Sequence, residues 1–78
     1  MRVHIQREGY GRQPGLCGAL PTVMHHGGPA TADCKRCLKA AALQGWLKDT
    51  HPLAARMVQQ NYKRVGVEIP AGSFSVRG

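Results

Sequence analysis

The chain has 78 residues, with eleven Lys/Arg against four Asp/Glu, ten glycines, five prolines and a net charge of +7. That is one small basic domain, which buries only about 60% of its unfolded surface and so has little stability in reserve. Three cysteines do not make a secreted disulfide framework, and no apolar run approaches the ~20 residues of a membrane span or the core of a signal peptide. A cytoplasmic protein with reduced or metal-bound thiols is expected.

In chain order, Val3-His4-Ile5 reads as a short strand with His4 on the face opposite Val3 and Ile5. Gln6–Gly15 (QREGYGRQPG) is a turn-rich connection without apolar periodicity. Leu16–Leu20 reads as a second strand. Pairing it antiparallel with the first would bring His4 and Cys17 to one face. Pro21–Thr31 is a loop or irregular strand carrying His25 and His26, and Thr31 or Asp33 is a candidate cap for the helix that follows.

The first helix is expected from about Cys34 to Lys48. Cys34, Cys37, Leu38, Ala41 and Gly45 fall on one side, and Leu43, Trp46 and Leu47 lie among Lys35, Arg36 and Lys39 on the other. That second side is either covered by the next helix or open to a partner. A break at Asp49–His51 leads into an amphipathic helix over Pro52–Val65, with His51 or Thr50 as cap, Pro52 in its first turn and Gly66 as its left-handed stop. Leu53, Ala54, Met57, Val58, Tyr62 and Val65 form its apolar arc. Val67–Ile69 and Ser73–Arg77 alternate around Pro70-Ala71-Gly72 and read as a C-terminal hairpin.

The chemistry concentrates at Cys34-Lys35-Arg36-Cys37. Two cysteines at this spacing on a helix start can both reach one metal ion at about 2.3 Å, and the helix dipole favours their thiolate forms. Cys17 supplies a third sulfur, and His4, His25 and His26 compete for the fourth position, with Asp33 or a water behind them. A structural Zn²⁺ site of three cysteines and one histidine follows. Glu8, Asp33, Asp49 and Glu68 form no H-x-E or HExxH arrangement beside these ligands, and no phosphate loop or catalytic triad stands out, so no enzyme is expected. The basic balance favours nucleic acid or an acidic protein surface as partner. Two constellations suit such contacts: Arg7, Tyr10 and Arg12 in the first loop, and Lys35, Arg36 and Lys39 with Trp46 on the first helix.

Val3-His4-Ile5, Leu16-Cys17-Gly18 and Asp33-Cys34-Lys35-Arg36-Cys37-Leu38 together resemble a group of small uncharacterised bacterial and phage zinc-finger proteins with an H…C-G…[TD]-C-x-R-C pattern. The resemblance covers the first half of the chain and implies that His4, Cys17, Cys34 and Cys37 are the ligands.

The expected fold is therefore small α+β. Residues 1–48 form a zinc-clasped β-hairpin and helix; residues 49–78 add a second amphipathic helix and a C-terminal hairpin, all in one domain. The expected function is a basic, zinc-binding, non-enzymatic module associated with DNA or RNA, in keeping with a phage or mobile-element accessory protein. The alternative is a protein-interaction module that modulates a host complex.

Overall fold

In the computed structural model, which describes residues 2–18, 20 and 25–78, the chain runs β1 (Val3–His4), β2 (His25–His26), α1 (Lys35–Leu43) and α2 (Pro52–Val65). The sheet is minimal and parallel: Val3 stands opposite His25 and His4 opposite His26. This corrects the expected pairing of the first strand with Leu16–Leu20. The antiparallel approach of those two segments is real but short. It consists of the Gln6–Gly15 bridge, with the Leu16 N–H donating to the Ile5 carbonyl (2.7 Å) and the Arg7 N–H to that of Pro14 (3.0 Å). There the chain turns, and the Gly18 N–H closes onto the Gly15 carbonyl (2.9 Å). A tight turn between two glycines outcompetes extended structure at Cys17. Of the remaining expected strand, Ala19 lies outside the described residues, as do positions 21–24 of the loop that follows.

α1 ends at Leu43, five residues short of the expected Lys48. Gly45 takes φ +86, its N–H bonds to the Ala42 carbonyl and the Trp46 N–H to that of Ala41 (2.9 Å). This is the left-handed helix stop in which two orphan carbonyls are satisfied at once. It also resolves the mixed pattern of this stretch. Leu43, still on the helix, is 76% exposed, whereas Leu47, beyond the stop, is fully buried. Trp46 packs half-buried against the core.

α2 spans Pro52–Val65 as the sequence indicates. The His51 imidazole accepts from the Leu53 N–H at 3.2 Å, capping it. Gly66 (φ +87) stops it, and the Val67 N–H reaches the Tyr62 carbonyl at 2.9 Å, with both residues buried. Val58, Tyr62 and Val65 of the expected arc meet the core, but the rest of the buried face differs from it. Ala55, Val58, Asn61 and Tyr62 face inward, while Leu53 and Met57 remain exposed. Asn61 is the reason: its amide donates to the carbonyls of Pro29 (2.9 Å) and Ala32 (2.7 Å), turning the helix so that a polar residue meets the loop before α1.

The C-terminal hairpin does not form. Val67 is buried and Ile69 and Phe74 pack on the core, but residues 75–77 run beside the link between the helices instead of folding back on 67–69. The Ser75 N–H donates to Leu47 (3.1 Å), the Thr50 N–H to Ser75 (2.9 Å) and the Arg77 N–H to Thr50 (2.8 Å). Backbone groups left open after α1 find their partners there. One cluster of buried side chains joins both halves, from Ile5, Leu16, Cys34, Cys37 and Leu38 to Val58, Tyr62 and Val67. Among the described residues no helix is long and apolar enough to cross a membrane.

Candidate metal centre

Three main-chain arrangements converge on one point. First, Asp33 fastens β1 to the start of α1: its carboxylate accepts from the Val3 N–H (2.6 Å), and the N–H groups of Asp33 and Cys34 both bond to the Val3 carbonyl (3.0 and 3.2 Å). The next residue on β1 is His4. Second, Cys34 is the N-cap of α1 without a side-chain capping bond, and Cys37 lies one turn further along the helix. Third, the Ile5–Leu16 hydrogen bond sets the Gly15–Gly18 turn over the same place and delivers Cys17. Asp33 thus serves as a clamp, not as a ligand or helix cap.

The result is a group of four donor atoms, from His4, Cys17, Cys34 and Cys37, all within 4.8 Å of one another. His4 presents Nδ1, 3.3 Å from the Cys17 sulfur and 3.6 Å from that of Cys37. A tetrahedral ion with sulfur at about 2.3 Å and nitrogen at about 2.0 Å holds its ligand atoms about 3.5–3.8 Å apart. The His4–Cys37 distance falls in that range and the His4–Cys17 distance about 0.2 Å below it, so this donor set fits a single metal ion. The set is also partly dry: Cys34 and Cys37 are buried, and His4 and Cys17 half-buried. Burial pushes the Cys37 thiol up to about 11, partly offset by backbone hydrogen bonding at Ile5 and Cys17 and reinforced by the neighbouring Cys17 and Cys34 side chains. Three sulfurs gathered in one partly buried site gain most from a cation that binds them as thiolates.

The alternative histidines do not join this group. His25 and His26 are exposed on β2, paired with β1. Of the proposed contact residues, Arg7, Tyr10 and Arg12 are exposed in the first loop, and Lys35, Arg36 and Lys39 on α1. Trp46 does not stand on α1 with them, because the helix has already ended. It lines a cleft with Arg7, Glu8, Leu16, Gln44 and Gly45. One residue from each of the two sets, Arg7 and Trp46, thus lines the same cleft.

Asn61 and Tyr62 gave no functional signal in the sequence, yet they tie α2 to the metal-bearing half. Besides the Asn61 bonds, the Tyr62 hydroxyl donates to the Leu38 carbonyl at 2.6 Å, and burial pushes that hydroxyl up to about 12. A polar residue four positions from Met57 and three from Val58 on an otherwise amphipathic helix was the available hint.

The chain matches no known family model, no curated protein and no solved structure.

Proposed function

We propose that this protein is a small structural-zinc module, non-enzymatic, that associates with nucleic acid. The observation that carries the reading is the convergence of His4, Cys17, Cys34 and Cys37 on a space the size of one ion. Zinc is the metal that three thiolates and one imidazole in tetrahedral array suit best among those common in proteins. Four protein ligands leave no open coordination position, which is the pattern of structural rather than catalytic zinc. The sequence resemblance to small zinc-finger proteins points to the same four ligands. The net charge of +7 supports a polyanionic partner, with Arg7, Arg12, Lys35, Arg36 and Lys39 all exposed.

Native mass spectrometry with and without chelator tests the metal. One zinc per chain is expected for wild type and for the His25/His26 double alanine variant, with loss or strong weakening in Cys37→Ser and His4→Ala. A metal-free protein that stays fully folded refutes the reading. For the partner, binding to a mixed DNA and RNA pool falls steeply with added salt and is weakened when Lys35, Arg36 and Lys39 become Ala. No binding at low salt refutes the nucleic-acid part. A host protein retained after nuclease treatment, with no oligonucleotide bound, would replace it with the protein-interaction reading.

A further inference from the structure

An open cleft between the first loop and the end of α1 has a volume of about 690 Å³ and is lined by Arg7, Glu8, Leu16, Gln44, Gly45 and Trp46. That volume is in the range of small-molecule sites. Its walls are set by main-chain bonds. The Arg7 N–H is held by Pro14 (3.0 Å), and the Trp46 N–H by Ala41 (2.9 Å) in the helix stop at Gly45. Leu16, on the floor, is bonded to Ile5 and precedes the ligand Cys17. The cleft therefore has walls fixed by main-chain bonds, and it shares one of them, Leu16 to Ile5, with the metal centre.

The lining combines a cation, an aromatic ring, an amide and a carboxylate. Arg7 offers a forked donor suited to phosphate. Trp46 is a half-buried indole in the same lining, a ring on which a base can stack. Gln44 can donate and accept, whereas the ionised Glu8 can only accept. An acceptor-only group repels phosphate but pairs with the N–H edge of a base. A bare anion could use Arg7 and the Gln44 amide but would leave Trp46 and Glu8 without a role. An unpaired nucleotide uses all four.

We propose that this cleft holds one unpaired nucleotide of a single-stranded nucleic acid, with its base on Trp46, its N–H edge toward Glu8 and Gln44, and its phosphate on Arg7. This rests on the nucleic-acid reading above and names the site that would serve it. Guanine, which offers adjacent imino and amino donors, is the base that best matches the Glu8 carboxylate.

Trp46 is the sole tryptophan of the chain, so under folded conditions a change in indole emission on adding ligand comes from the residue that lines this cleft. Zinc-loaded protein is titrated with fluorescein-labelled hexanucleotides, alternating T and G or all T, in DNA and in RNA (U for T) form. Anisotropy of the label reads total binding, and Trp46 emission, followed with unlabelled hexamers, reads the cleft. Quenching that saturates with binding is expected, tighter for the G-containing hexamers. Arg7→Ala should weaken binding at least tenfold and Glu8→Gln should remove the preference for G. Both residues are exposed, and retained zinc content confirms that these variants fold. The 2′-hydroxyl comparison tells whether RNA or DNA is the better occupant. Anisotropy that rises while Trp46 stays unquenched, or affinity unchanged in Arg7→Ala, overturns the cleft assignment and leaves the wider reading standing. Absence of any anisotropy change overturns both. Equal quenching by inorganic phosphate alone overturns the assignment of the base to Trp46.

Discussion

Replacing Asn61 by alanine tests how far this buried amide, alongside the Tyr62 hydroxyl, locks the second helix to the metal-bearing half. Asn61 is 5% exposed, donates to the carbonyls of Pro29 and Ala32 and accepts from the Arg64 guanidinium at 2.7 Å. The Ala32 carbonyl belongs to a fully buried residue, and leaving it without a partner costs about 1–3 kcal/mol. The Pro29 carbonyl is only partly covered, and water can replace much of a bond worth about 1 kcal/mol. The expected loss is therefore about 3 kcal/mol. For a chain of this length the whole stability is about 4–12 kcal/mol, so the variant is severely weakened. Urea unfolding followed by Trp46 emission, at fixed free zinc so that mass action on the metal is constant, reads the loss directly. With a slope of about 1 kcal/mol per molar urea the midpoint falls by about 3 M. Arg64→Ala is the control: it removes an exposed partner and shifts stability by less than about 1 kcal/mol. An Asn61→Ala midpoint within about 0.5 M of wild type would refute the account of how the halves are joined.

Three further outcomes follow from the same geometry. Tyr62, raised from 10 to about 12, stabilises the fold fully below pH 10, and that contribution, about 2–3 kcal/mol, is lost as pH rises from 10 to 12; alkaline unfolding curves should show it in wild type and not in Tyr62→Phe. Leu47→Ala should cost about 2–5 kcal/mol because the side chain is fully buried, and Leu43→Ala about 0.5 kcal/mol or less, as thermal unfolding at fixed zinc will show. Metal affinity should fall with acid at least tenfold per pH unit, since the Cys37 thiol must release a proton to bind at any pH below about 11. Proton release measured on adding zinc at several pH values checks this.

The cysteine spacing and its place at a helix start were legible because both are local: four consecutive residues determine where two sulfurs point. His4 was legible only as a possibility. Its choice over His25 and His26 depends on Asp33 fastening Val3 and on the Ile5–Leu16 bond, contacts between residues about 10 and 30 positions apart. α2 was legible to the residue, since its cap, its proline and its glycine stop all lie within one turn of its ends. α1 was not, because Gly45 was counted as a small residue on a helix face when its left-handed conformation in fact ends the helix.

From sequence alone, this chain specifies a basic surface, three sulfurs available to a metal, and one well-bounded helix. These depend on residue type and near-neighbour spacing. Tertiary structure alone decides the parallel β1–β2 pairing, the loss of the C-terminal hairpin to the 47–50 link, the burial of Leu47, the inward turn of Asn61, and the meeting of Arg7 with Trp46 in one cleft. Each of these is a competition among distant backbone donors and acceptors for burial and partners, and no local pattern records which pairing satisfies the most groups at once.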